Sequence, residues 1–365
     1  MENMVSPAFW HGKKVLITGH TGFKGSWLTL WLLKMGAVVE GVSLPDDRPG
    51  SHYHAVDFRS AIKEHLVDIR DGQALETIIL HSAAEIVFHL AAQPLVNASY
   101  VDPLNTFTSN VNGTLNLLQA IRQSQSIKTV VVITTDKVYA NSDAPDNAFA
   151  ETDALGGNDP YSASKAMTEL LCTSYRESYF RKQGIVLATA RAGNVIGGGD
   201  WSDDRLVPDY FRAVNSGQPF NVRYPDAVRP WQHVLESLRG YLLYAEYLSR
   251  ESQSSVTALN FGPDSHNTIT VRELLRRLSS FAENDRAPAS LAVAPQNREA
   301  LHLSLNSSRA RETLHWFPAL DISQTLRLTS EWYQASRTAT DMAAFSLQQI
   351  ADYESQVRAQ QETAQ

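Results

Sequence analysis

The sequence predicts an α/β protein, a doubly wound parallel sheet with a smaller C-terminal lobe. Three observations predict it: strand and helix signals alternate through the first half, a glycine-rich turn joins the first strand to the first helix, and the alternation stops after Gly197. A chain of 365 residues, 43% hydrophobic and 19% charged, can bury a sizeable core and has the composition of an ordinary globular protein.

KKVLITG (13–19) reads as a buried strand. The next segment places Leu28, Trp31, Leu32 and Met35 at the i, i+3, i+4, i+7 spacing of one helix face. AVVEGVSL (37–44) reads as a second strand, HLVDI (65–69) as a short third, EIVFHLAA (85–92) as a fourth, TVVVITT (129–135) as a fifth and IVLATARAGNV (185–195) as a sixth. Helical patterns separate them, notably over 103–123 and 161–180. After Gly197, GGGDWSDDRLVPD is loop-like and the following elements are shorter and more polar. Residues 1–190, with about 231–262, are therefore expected to form the sheet domain. About 191–230 and 263–345 are expected to form a lobe over the strand ends, where open α/β sheets place their ligands. Residues 346–365 are polar and read as a frayed helix and tail.

Composition narrows the function. A net charge of −7 argues against a nucleic-acid partner, although local design still lets an acidic protein hold a diphosphate. Cys172 is the only cysteine, so there is no internal disulfide and no cysteine-rich metal site, and no metal is expected. The longest apolar run, over 27–33, is short of a membrane span and flanked by Lys24 and Lys34. MENMVSPAFWHGKK lacks the apolar stretch of a secretion signal, so a cytoplasmic protein without a membrane partner is expected.

GHTGFKG places Gly19, Gly22 and Gly25 between a strand and a helix. Those positions serve a tight turn, close backbone approach to a pyrophosphate and close helix–sheet packing, with the helix N-terminus facing the phosphates. The reading is a Rossmann domain that binds a nicotinamide dinucleotide. Ser43 stands where many NAD enzymes carry an acid, Asp46 and Asp47 come later, and no arginine stands at that strand end. NAD rather than NADP is the expectation. Asp68 reads either as an adenine contact or, like Asp71, as the cap of the next helix.

PYSASK sets Tyr161 and Lys165 four residues apart, on one helical face, after a Thr135 that ends the fifth strand. A tyrosine loses its proton near pH 10. A neighbouring ammonium and a nicotinium ring favour the phenolate, making Tyr161 a base for a sugar hydroxyl while hydride leaves the carbon.

On these residues, and on the longer runs GHTGFKGSWLTLWL, HLAAQPLV, TTDKVY, RAGNVIGGGDW, RLVPD and RPWQHVLE, the chain resembles the extended short-chain dehydrogenase/reductase superfamily over about residues 10–333. Within it, the sequence looks most like the CDP-glucose 4,6-dehydratase family. The resemblance implies NAD contacts from Gly19, Thr21, Gly22, Phe23, Lys24, Gly25, Ser43, Asp68, Ile69, Leu90, Ala91, Ala92, Asn110, Thr134, Tyr161 and Lys165. It implies a homodimer or homotetramer, pairing through the 103–123 and 161–180 helices. CDP-glucose as the substrate comes from the resemblance alone.

The Asp136–Lys137 pair in TTDKVY bears on the reaction. Oxidation at sugar carbon 4 acidifies the carbon-5 proton, and loss of water across carbons 5 and 6 then needs a base and an acid. Related dehydratases carry Asp-Glu here. Asp136 would serve as acid, its pKa raised by desolvation, and Lys137 as base or as an orienting group. Gln93, Asn194, Arg205, Arg229 and Arg298 are the substrate-side candidates, the arginines suited to forked phosphate contacts. His233 reads as packing at the domain junction. A 4-epimerase would use Thr135, Tyr161 and Lys165 without needing the Asp–Lys pair. A non-catalytic dinucleotide sensor would need none of these groups.

Overall fold

The computed structural model describes residues 4–141, 148–222, 224–263, 268–281, 289–291, 303–338 and 340–364. Arg298 lies outside the described residues. The centre is a parallel sheet of seven strands: β1 (Lys14–Thr18), β2 (Val38–Ser43), β3 (Lys63–Leu66), β4 (Ile86–His89), β5 (Thr129–Ile133), β6 (Val186–Ala192) and β7 (Ala258–Phe261). Their order across the sheet is β7-β6-β5-β4-β1-β2-β3, every pairing parallel. The order reverses between β1 and β4, where a doubly wound sheet opens a crevice at its carboxyl ends.

Both faces are covered because successive strand residues point to opposite sides. Val15 and Ile17 enter the core beneath α1 (Phe23–Lys34) and, further along the chain, α6 (Val234–Arg250). Leu16, Val87, Val130 and Val132 enter the opposite core beneath α2 (Gly72–His81), α3 (Gly113–Ile121) and α4 (Pro160–Tyr175). Outside the seven-stranded sheet stand α5 (Leu206–Ser216) and the antiparallel pair Val228–Pro230 with Thr268–Thr270.

Several elements depart from the sequence reading. β3 begins two residues earlier than expected and residues 67–69 leave the ladder to line the crevice. β6 stops at Ala192: Asn194 turns the chain with a φ of 50°, and Val195–Ile196 pairs instead with Gln232–His233. β7 had no strand signal of its own and is fixed by its pairing to β6. The 103–123 stretch is one continuous helix as far as Ile121, in which a π turn at Thr108–Asn112 joins Pro103–Phe107 to α3.

The C-terminal segment is the largest correction. The helix expected there is present, but it is neither frayed nor followed by a long tail: Met342–Ala364 is a 23-residue packed helix, α7. Ile350, Tyr353 and Val357 are buried, each such apolar side chain contributing about 1.5–3 kcal/mol. Glu354 accepts from the Trp31 indole at 2.8 Å and from Lys34 at 2.6 Å, and Tyr353 donates to Glu236 at 2.6 Å. This explains why α1 is buried around most of its circumference, beyond the single stripe its spacing suggested. No helix among the described residues is long and apolar enough to cross a membrane.

Candidate active site

One cavity of about 680 Å³ opens along the carboxyl ends of β1, β2, β4, β5 and β6 and continues along the start of α5 and Arg229. Its first wall is main chain. Gly19 turns at a φ of 80°, and a Cβ there would overlap the backbone of Leu90 and Ala91. Gly22 ends the turn as the N-cap of α1 with no side-chain cap, so the first N–H groups of that helix face the cavity. Free amides at a positive helix end suit a pyrophosphate, so this wall fits a dinucleotide. Thr21 and Ser43 share a hydrogen bond of 2.7 Å that ties the turn to the end of β2.

The second wall carries the ionisable groups. Asp159 caps α4 by accepting from the Ser162 amide, and Pro160 sets its first turn. This fixes Tyr161 and Lys165 on the buried side, both within the cavity lining. Burial pushes the Tyr161 phenol up to about 12, opposed by its hydrogen bond with Thr135 and the charge of Arg205. The sequence reading had the phenol lowered by Lys165 and a nicotinium ring together; in the protein itself burial is the largest influence and acts in the opposite direction. Burial also brings the Lys165 ammonium down to about 8, and its Nζ donates to the Ile133 carbonyl at 3.1 Å.

Thr135 caps a short 3-10 turn, Asp136–Val138, immediately after β5. Its hydroxyl donates to Asp136 Oδ1 at 2.9 Å, and Asn194 Nδ2 donates to Oδ2 at 3.3 Å. A Cβ at Gly193 would overlap this carboxylate, so the buried Asp136 fits only because position 193 has none. Lys137 Nζ lies 3.7 Å from Asp136 Oδ1 and remains partly exposed. Lys24 reaches in from α1: burial, and secondarily the like charge of Arg205, brings its ammonium down to about 7. Its Nζ is 3.2 Å from the Tyr241 hydroxyl.

The residues 15–258 match the model of a family described as NAD dependent epimerase/dehydratase. The chain belongs to this family. It is also 41% identical over 357 residues to the CDP-glucose 4,6-dehydratase of Salmonella typhimurium, covering 96% of this chain and 98% of that protein. The dTDP-glucose 4,6-dehydratase of Neisseria meningitidis serogroup B is 25% identical over 351 residues, 89% of this chain and 94% of the relative. Among solved structures, the UDP-glucose 4-epimerase of Thermus thermophilus in complex with NAD aligns with a TM-score of 0.74 at 26% identity, over 90% of this chain and 100% of that one. The dTDP-glucose 4,6-dehydratase of Streptomyces venezuelae, solved with NAD, aligns with a TM-score of 0.76 at 24% identity, over 89% of this chain and 98% of that one. NAD is the cofactor of this family member, an enzyme on a Rossmann sheet.

Nearly all the residues singled out from sequence line this one cavity: the glycine turn with Thr21, Phe23 and Lys24; Ser43, Asp68 and Ile69; Leu90 to Gln93; Thr134 to Lys137; Tyr161, Lys165, Asn194, Arg205 and Arg229. Asn110 does not. It is buried behind the wall, bonded to both main-chain atoms of Gln93 and to the Ser164 hydroxyl, so it shapes the loop rather than facing a ligand. Gln93 lines the cavity with its side-chain amide already engaged by Leu95 and Thr106. Asp71, not Asp68, caps α2; Asp68 pairs with Arg70. Arg205 holds Asp200 at 3.1 Å, and Arg229 is buried on the Val228–Pro230 strand with one N–H on the Val228 carbonyl. His233 packs edge-on against Trp27, fully buried.

Two groups escaped the sequence reading. Glu169 is buried on α4, where Arg191 Nε and Nη2 reach it at 2.9 Å each, Thr134 at 2.5 Å and Thr189 at 2.7 Å. Burial alone would raise its carboxyl, but Arg191 and the two hydroxyls override that and hold it low. A carboxylate one turn past Lys165 on the same face was the available signal. Arg48 also lines the cavity, beyond the end of β2. It was passed over because it lies five residues past Ser43 rather than beside it.

Proposed function

We propose that this enzyme converts CDP-glucose to CDP-4-keto-6-deoxy-glucose by an internal oxidation, dehydration and reduction. The observation that carries the reading is the meeting of two pairs, Tyr161–Lys165 and Asp136–Lys137, around Thr135 in the dinucleotide cavity. The relation to the Salmonella CDP-glucose enzyme over nearly the whole chain supports the nucleotide and the sugar. NAD supplies hydride acceptance from sugar carbon 4 and its later return at carbon 6, so no outside oxidant is consumed.

Tyr161 removes the proton of the 4-hydroxyl, its phenol exchanging protons through Thr135, while Lys165 adds positive charge beneath the site. Near a nicotinium ring, the phenol would fall from the value burial alone imposes. Asp136, held by Thr135 and Asn194, is the candidate acid for the departing 6-hydroxyl. Lys137, at the exposed side of that carboxylate, is the candidate base for the carbon-5 proton. Arg205 and Arg229, reaching the cavity from the lobe side, would hold the nucleotide end. The division into a sheet domain for NAD and a lobe for the sugar nucleotide belongs to the same proposal. A homodimer is supported by the exposed apolar side chains Val101, Leu104, Leu115, Met167 and Leu170 on neighbouring helices.

Incubation with CDP-glucose and NAD tests the reading. The expected product is a keto-deoxy sugar nucleotide, detected by its absorbance in base, with no net NADH. Formation of CDP-galactose, or no change, overturns it.

A further inference from the structure

In Rossmann domains an acid near the end of the second strand accepts from the adenosine 2′-hydroxyl, whereas an arginine nearby accommodates a 2′-phosphate. The loop after β2 departs from the first arrangement. Ser43 ends the strand, and its hydroxyl is bonded to Thr21. The nearest acid, Asp46, has a buried carboxylate turned away from that role. It accepts from Arg48 Nε at 2.6 Å and from the Ser51 hydroxyl at 2.5 Å. Its two oxygens serve the loop itself.

Arg48 is oriented by that carboxylate. Its Nη1 donates to the Ser202 hydroxyl at 3.3 Å, across to the lobe. Its Nη2 makes no hydrogen bond within the described residues, and the side chain is 36% exposed on the cavity. Asp46 and Ser202 thus hold the fork at two points and leave a donor over. Arg70, the other guanidinium at this end of the cavity, is committed to Asp68 and Asn105. Asp47, exposed and lining the same stretch, opposes a second phosphate there, as do the arginine-paired carboxylates of Asp46 and Asp68. A held guanidinium with a spare N–H suits a phosphate better than a ribose hydroxyl.

We propose that Arg48 makes the adenosine end of the cavity accept a 2′-phosphate, so that the enzyme binds NADP as well as NAD. This rests on the cavity being the dinucleotide site. The two ideas fail separately: absence of NAD binding would remove the site, whereas the present inference turns on the ratio of two affinities.

Calorimetric titration of the cofactor-free protein with NAD and with NADP reads that ratio directly, without turnover. The wild type is expected to bind NADP within about tenfold of NAD. Arg48→Ala should weaken NADP at least about tenfold and NAD less than about threefold, and Arg48→Lys, which keeps the charge but loses the fork, should fall between. Because damage to the loop lowers both affinities together, the ratio isolates the phosphate contact. A wild-type preference for NAD of about a hundredfold or more overturns the proposal and hands the ribose to Asp47. An Arg48→Ala ratio equal to that of the wild type overturns it as well.

Discussion

The two walls of the cavity are built from different materials. The wall over β1 and β2 is mostly backbone: a glycine turn, the open end of α1 and one hydroxyl pair, Thr21 with Ser43. The wall over β5 and β6 is mostly side chain: Tyr161, Lys165 and Asp136 buried together, with the Glu169–Arg191 ion pair behind them. Amides need no partner to hold their partial charge, so the first wall tolerates change in all but its glycines. Buried charges are stable only in company. The second wall is therefore where a single substitution reaches both chemistry and stability.

Substitution of Tyr161 by Phe tests the separation most sharply. The phenol is lost while the turn and α1 stay intact, so turnover should fall by about 10²–10⁴-fold with NAD affinity nearly unchanged. Full turnover in Tyr161→Phe would remove the proposed base. Next in size, Glu169→Ala strands a buried guanidinium and two hydroxyls. It should cost about 3–5 kcal/mol in urea unfolding, the amount typical of breaking a buried pair. A loss under about 1 kcal/mol would mean that the pair does not support α4.

Lys137→Ala is milder, because its ammonium is partly exposed and only 3.7 Å contact links it to Asp136. In deuterated water, label entry at carbon 5 should slow by about tenfold, or about 1.4 kcal/mol, with folding unaffected. Wild-type labelling would return Lys137 to an orienting role.

A further effect lies outside both walls. Glu246 accepts from the Ser6 amide and the Trp10 indole, each at 2.8 Å, and burial raises its carboxyl to about 7. With the folded-state value above the unfolded one, the stability it contributes is complete below about pH 4.5 and is lost as pH rises through about 7. Glu246→Gln keeps an acceptor without the titration. Unfolding midpoints compared across that window should fall with rising pH in the wild type and fall less in the variant.

The sequence alone determined the alternation of strands and helices, the glycine turn and the two short-range pairs at 136–137 and 161–165. Each is a local pattern: a period of two or 3.6, or a spacing of one helical turn, survives in the chain before it folds. It could not determine what arrives from far along the chain. Arg191 meets Glu169 across 22 residues, and α7 seals α1 through Glu354, 323 residues from Trp31. A polar C-terminal segment reads as a tail until its few apolar residues find one face to bury. The charge state of Tyr161 was likewise a tertiary matter. The lowered phenol was read from Lys165 and a nicotinium ring together, whereas within the protein desolvation, which depends on everything packed around the ring, is the largest influence.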